Sequence, residues 1–195
     1  MASSEVRLIL ASGSPRRREL LGKFSIPFEI LPAVGEEEPP LDRSPGDYVL
    51  ALAEQKAAQV CARAGDPAAV IVAADTVVEL DGRILGKPRD GEDAARMLRA
   101  LSGTVHRVWT GVCVRRGDTV RSCAESVEMH FRELTQEEIL SYVATGEPLD
   151  KAGSYGYQER ASIFVREIRG DFYTAVGLPM CRLSQLLREF GIELM

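Results

Sequence analysis

Ala69-Val70-Ile71-Val72-Ala73-Ala74-Asp75-Thr76 is the stretch that decides the fold. Its unbroken apolar run describes a strand covered on both faces, the habit of an α/β sheet. The run stops at a carboxylate, and Val77-Val78-Glu79-Leu80, Asp81-Gly82 and Arg83-Ile84-Leu85 follow at once as a hairpin signature. An aspartate at the carboxyl end of a central strand stands where open α/β sheets bind ligands. Capping a turn is the commoner fate of such an aspartate, but no helix follows Asp75 for it to cap. Asp75 is therefore the first candidate functional residue. Hairpins interrupting βα units predict a mixed sheet rather than a parallel one.

Upstream, Leu8-Ile9-Leu10-Ala11 reads as a second buried strand, followed by Ser12-Gly13-Ser14-Pro15-Arg16-Arg17-Arg18. Ser14 suits an N-cap, Pro15 the first helical position, and Leu20, Leu21 and Phe24 carry a helical spacing. Arginines in a first turn oppose the helix dipole, so they are either solvated surface or the wall of an anion site, where a bound polyanion reverses the cost. Ser44-Pro45-Gly46-Asp47 is a capping box opening a helix through Ala64, stopped by Gly65. On it Lys56 lies one turn beyond Leu52, near the buried face, where a lysine either snorkels or meets a ligand.

Further on, Lys87 sits on the stiff turn Gly86-Lys87-Pro88, and residues 90–101 form an amphipathic helix stopped at Gly103. Residues 104–116 and 119–131 read as strands joined by Gly117-Asp118. His106 and His130, without partner spacing, read as polar surface residues rather than metal ligands. Thr135-Gln136-Glu137-Glu138 caps a helix to Ala144. The long loop 147–158, rich in glycine and hydrogen-bonding groups, has the length of a functional loop. Ile163-Phe164-Val165 and Phe172-Tyr173 predict one more hairpin around Arg169-Gly170-Asp171. Gly177-Leu178-Pro179 starts a last helix. The acidic run Glu36-Glu37-Glu38 before Pro39-Pro40 reads as a solvated loop.

The chain's 195 residues suit one domain over 1–195, and 45% hydrophobic and 27% charged residues describe an ordinary globular protein. A net charge of −5 argues against general nucleic-acid binding. The four cysteines show no C-x-x-C pair and read as reduced thiols. Without a span-length apolar run or a signal-peptide pattern, a cytoplasmic protein is expected.

In order, the segments Ser12-Gly13-Ser14-Pro15-Arg16-Arg17, Ala74-Asp75-Thr76, Gly86-Lys87-Pro88, Leu101-Ser102-Gly103, Trp109-Thr110-Gly111-Val112, Asp150-Lys151-Ala152-Gly153 and Val176-Gly177-Leu178-Pro179 resemble the Maf family of nucleoside triphosphate pyrophosphatases, over about Leu8 to Leu187. The resemblance implies an elongated mixed sheet flanked by helices, inosine-triphosphatase-like in fold. It implies hydrolysis of a nucleoside triphosphate to monophosphate and pyrophosphate with a divalent cation, Mg²⁺ or Mn²⁺. Asp75 matches the family's proton acceptor. Glu37 matches the glutamate of its Ile-Asp-Glu segment and, with Asp75, would hold the metal. Ser12, Ser14, Arg16, Arg17, Lys56 and Lys87 supply the donors and cations that a triphosphate requires.

Tyr155-Gly156-Tyr157-Gln158 is similar to the Tyr-Gly-Ile-Gln form of the branch acting on dTTP, UTP and modified uridine triphosphates. The Gln158 amide both donates and accepts, which suits a uracil or thymine edge. By the same resemblance, Arg16 and Thr76 bear on specificity. The chain departs from the pattern at Gly35-Glu36-Glu37, at Gln55, where a glutamate is common, and at Glu159, where the family usually has glycine. The rival readings are a 7-methyl-GTP pyrophosphatase and a weakly catalytic nucleotide-binding regulator of cell division. The partners expected are a small-molecule nucleotide and, compatibly with the sequence, a second copy of the chain, with neither nucleic acid nor membrane.

Overall fold

The structure, a computed structural model, describes residues 6–35 and 43–195. Among these, the strands are β1 (Leu8–Leu10), β2 (Glu29–Ile30), β3 (Val70–Leu80), β4 (Arg83–Leu85), β5 (Val105–Arg116), β6 (Thr119–Phe131) and β7 (Val165–Arg169). They form a sheet of order β2-β1-β3-β5-β6-β7, with β4 paired to β3. β1 runs parallel to β2 and β3, whereas β3/β4 and β6/β7 are antiparallel, so the sheet is mixed as the sequence led one to expect. The helices are α1 (Pro15–Leu21), α2 (Pro45–Ala64), α3 (Gly91–Leu101), α4 (Gln136–Ala144), α5 (Phe172–Val176) and α6 (Met180–Glu189). No described helix is long and apolar enough to cross a membrane.

The chain divides into two compact units, one built from Met1–Asp75, Thr110–Glu125 and Gly177–Met195, the other from Thr76–Trp109 and Ser126–Val176. In the first, α2 has the ends its sequence specifies. The Ser44 hydroxyl accepts from the Asp47 amide, Pro45 opens the helix, and Gly65 closes it in the left-handed region at φ 66°. Its small face, Ala53, Ala57 and Val60, packs on Ile9, Ala11, Ile71, Ala73 and Cys113. Small residues let a helix backbone approach a sheet closely, and at Gly111 the approach is complete: a Cβ there would fall into the Val49 carbonyl of α2.

In the second unit, α3 is capped by Asp90, whose side chain accepts from the Asp93 amide, and α4 by the reciprocal Thr135–Glu138 capping box. Leu98, Leu101, Met129, Phe131, Ile139 and Phe164 lie in its core.

Three expectations are corrected. β3 does not stop at Asp75; it continues to Leu80, because Val78, Glu79 and Leu80 find ladder partners on β4. Phe172-Tyr173 is not a strand: β7 pairs with β6, and the chain then turns into α5, because the Asp171 carboxylate accepts from the Tyr173 amide and the Thr174 hydroxyl. His106 and His130 are buried rather than superficial. His106 shares a hydrogen bond with the Tyr155 hydroxyl at 2.7 Å and stands edge-on to Phe131.

Burial, and secondarily the neighbouring His130, push the His106 imidazole down from 6.5 to about 3. A histidine depressed in this way stabilises the fold fully above its unfolded value and loses that contribution as the pH falls towards its folded one. Stability should therefore decline from about pH 6.5 downwards by up to about 1.4 kcal/mol per pH unit for one proton. Carboxylates add to the loss only lower down: Glu138, held at about 2 mainly by the Arg132 guanidinium, ordinarily titrates near 4.5. Denaturant titrations of the parent and His106→Gln at pH 7, 6 and 5 check this, and the slope should flatten in the variant.

Candidate active site

The site grows from two periodicities. Along β3 the period of two puts Asp75 on the face of Ile71 and Ala73, the face that α2 covers. Along α2, Lys56 is three residues after Ala53 and four before Val60, so it shares their face. The two meet: the Lys56 ammonium donates to Asp75 Oδ1. Side-chain exposures of 19% and 8% make this a largely buried pair. The lysine thus neither lies in solvent nor merely snorkels.

The second component is Arg17 on α1. Its Nε donates to the Gly177 carbonyl at 2.7 Å, and its Nη1 donates to the Ala74 carbonyl at 2.8 Å and the Ser12 hydroxyl at 3.3 Å. Ser12, 7% exposed, also accepts from the Ser14 amide at 3.2 Å. With both lone pairs engaged, its proton is the part left to donate to an anion. Ser14 occupies the N-cap as expected, but its side chain makes no capping bond, and α1 spans only seven residues. Side chains, not a helix dipole, therefore give the site its positive character.

A cavity of about 170 Å³ opens here, lined by Ser12, Gly13, Arg17, Gly35 and Lys56, with Gln55 and Gln59 from α2. Asp75 is not in the lining; Lys56 links it to the cavity. Gln55 was noted only as a departure from the family pattern, and Gln59 was not singled out, although its place one turn beyond Lys56 was the signal. Arg16 is half-buried and Arg18 exposed. Glu37 lies outside the described residues. Thr76, Lys87 and Gln158 belong to the second unit: Thr76 is half-buried on β3, Lys87 exposed on its turn, and Gln158 exposed on the loop.

Among the described residues no group of three or more histidines, cysteines, aspartates or glutamates could form a metal cage by itself. The buried Asp75 carboxylate nevertheless suits Mg²⁺, which takes one or two carboxylates and draws its other ligands from substrate phosphates and water. The cysteines are free thiols. Burial pushes the Cys113 thiol up to about 12, so it is inert packing.

Fold and site together define an α/β protein with a cavity lined by an arginine and a lysine, the lysine paired with a buried carboxylate. The chain belongs to the Maf family, the model of the Maf-like protein matching residues 7–190. A Bacillus cereus (strain B4264) protein named dTTP/UTP pyrophosphatase is 49% identical over 187 residues, which cover 96% of this chain and 97% of that one. A protein of the same name from Bacillus anthracis is also 49% identical, with the same coverage. Among solved structures, the Staphylococcus aureus Ham1 protein superposes with a TM-score of 0.51 at 14% identity, covering 94% of this chain and 98% of that one. This likeness shows the fold, the inosine-triphosphatase-like architecture expected from the family motifs.

Replacing Lys56 by Met should leave the Asp75 carboxylate buried without its ammonium. Breaking such a pair costs about 3–5 kcal/mol, and the partial exposure of the lysine places the expected loss at the lower end. Thermal unfolding of Lys56→Met against the parent checks this, and Lys56→Arg, which keeps the charge, should lose less.

Proposed function

We propose that this protein hydrolyses dTTP, UTP and related uridine triphosphates to the monophosphate and pyrophosphate. The observation that carries the reading is the Lys56–Asp75 pair beside a cavity lined by Ser12, Arg17 and Lys56. A triphosphate carries about four negative charges, and each phosphoryl oxygen needs a donor or a cation. Arg16, Arg17 and Lys56 supply cations, Ser12 and Ser14 supply hydroxyls, and Lys87 is a further cation that the resemblance assigns to the phosphates. The 49% identity to proteins named dTTP/UTP pyrophosphatase supports the same substrate class here.

In the reaction, a water oxygen bonds to the α-phosphorus as the bond from that phosphorus to the α–β bridging oxygen breaks. The electron pair leaves with pyrophosphate. Asp75 accepts the water's proton. Lys56 and Arg17 hold phosphoryl oxygens, so the negative charge that develops on them meets fixed cations rather than mobile water. Asp75, with Glu37 by resemblance, would hold Mg²⁺ or Mn²⁺, which when bound offsets phosphate charge and polarises the reacting phosphoryl group. By resemblance, Gln158, Thr76 and Arg16 each bear on specificity, Gln158 through an amide matched to the pyrimidine edge.

The test is a screen of the purified protein with Mg²⁺ or Mn²⁺ against dTTP, UTP, GTP and 7-methyl-GTP, reading pyrophosphate release. The expected order places dTTP and UTP first. A preference for 7-methyl-GTP would establish the rival specificity, and at most feeble turnover on every triphosphate would overturn the enzyme reading in favour of the weakly catalytic nucleotide-binding regulator. Asp75→Asn, which keeps shape but removes the base, should lower kcat by about 10²- to 10⁴-fold. Turnover above about a tenth of the parent rate in a natively folded variant would refute the role given to Asp75.

A further inference from the structure

Gln158 is exposed, yet the backbone that carries it is held by groups buried inside the second unit. We propose that Tyr142 and Lys151 are positioning residues that lock the segment 147–159 from within and so fix Gln158 for base selection. The inference rests on the reading that Gln158 contacts the base.

Both locks close on Glu147. The Tyr142 hydroxyl donates to Glu147 Oε1 at 2.8 Å and accepts from the Gly156 amide at 3.3 Å. One oxygen thereby joins the beginning of the segment to a position two residues before Gln158. The Lys151 ammonium donates to the Glu147 carbonyl and to Asp150 Oδ1, each at 2.9 Å, and pairs with Glu159 Oε2 at 3.2 Å. One nitrogen thereby joins the same beginning to the residue directly after Gln158. Tyr142 and Lys151 are 5% and 6% exposed, so neither bond competes freely with water.

Sterics close what the hydrogen bonds leave open. The Lys151 stem occupies the space beside Gly156, where a Cβ would come within 2.6 Å of Cε, so residue 156 must be glycine while Lys151 stays in place. Ser154, fully buried, holds a left-handed φ of 63° that a serine rarely adopts. Such a conformation persists only where surroundings over-determine it, and it is a mark of preorganised sites. The Tyr155 hydroxyl is held by His106 at 2.7 Å. Glu159 stands where the family pattern usually has glycine, and its carboxylate is the partner that Lys151 meets beyond Gln158. A mobile loop would have to be ordered each time a base binds, at a cost in affinity; a locked one presents the amide already in place.

The experiment compares dTTP and GTP hydrolysis by the parent, Tyr142→Phe, Lys151→Met, Glu159→Gln and Gln158→Leu, well below each unfolding temperature. Tyr142→Phe keeps the ring packed against Phe164 (centroids 5.2 Å apart) and removes the hydroxyl alone. For Tyr142→Phe and Lys151→Met, KM for dTTP should rise about 5- to 20-fold, the range expected when a buried group loses its partner. Their kcat should stay within about twofold, since no phosphate-binding group is touched. The dTTP-to-GTP ratio of kcat/KM should fall by the same factor as KM rises. Glu159→Gln should shift it in the same direction but less, because Lys151 keeps its other two partners.

A ratio unchanged in Tyr142→Phe and Lys151→Met, even with a lowered Tm, would overturn the proposal and leave these residues merely structural. Should both fail to fold, Glu159→Gln, at a residue whose side chain is 39% exposed, decides alone. If Gln158→Leu leaves the ratio unchanged, it is the base-reading role that fails. If Gln158→Leu lowers the ratio and the locking variants do not, the locking fails and the reading stands.

Discussion

A carboxylate buried on a strand needs a cation that the fold can deliver, and in this molecule Lys56 delivers it to Asp75. Neither charge could be buried alone without a cost of several kcal/mol, so the pair ties the register of α2 to that of β3. The small residues make the meeting geometrically feasible. Ala53, Ala57 and Ala73 thin the layer between helix and strand, and Gly111 lets the α2 backbone rest on the sheet. A larger residue at these positions would lift the helix and carry the ammonium away from the carboxylate. Packing and chemistry thus impose one constraint on the same handful of positions.

Arg17 extends that constraint along the chain. Its guanidinium takes the carbonyls of Ala74, next to Asp75, and of Gly177, and supports the Ser12 hydroxyl as well. Segments separated by up to 160 residues in sequence are joined at one planar group. A planar fork of fixed donors suits this better than a lysine, because its bonds leave in set directions. An arginine in the first turn of a short helix, unfavourable by the local rule, is repaid by tertiary bonds the local rule does not contain.

What the sequence disclosed, it disclosed where local chemistry and the fold agree. The ends of α2 follow from Ser44, Pro45 and Gly65, those of α4 from its capping box, and the two faces of β3 from its apolar run. The candidate site was legible as residue types in a family order, with Lys56 flagged by its helical phase alone. Tertiary facts were not legible. The polar step at Asp75-Thr76 looked like a strand end although the hairpin of residues 77–85 was legible; what was not legible is that one strand runs unbroken through the step into that hairpin. Asp171 diverted Phe172-Tyr173 from strand to helix through two side-chain bonds. His106 and His130 read as surface residues by type and are buried; the Tyr155 hydroxyl engages one ring nitrogen of His106, a tertiary contact that no local pattern announces.

Under the proposed function the two units answer different physical demands. Holding a polyanion calls for cations kept partly out of water, where each is worth more, and the first unit meets it with Arg17 and a half-buried lysine that shares its charge with Asp75. Choosing a base calls for a neutral donor and acceptor whose direction is fixed before the ligand arrives, because an amide gains little in water and loses what it gains if it must first be ordered. In the second unit the Lys151 ammonium is buried and held by the Glu147 carbonyl, Asp150 and Glu159. Under the proposed function the exposed Gln158 offers a donor and an acceptor in a neutral amide. A charged reader would attract every triphosphate alike, whatever its base; a neutral amide on a fixed backbone can discriminate between them.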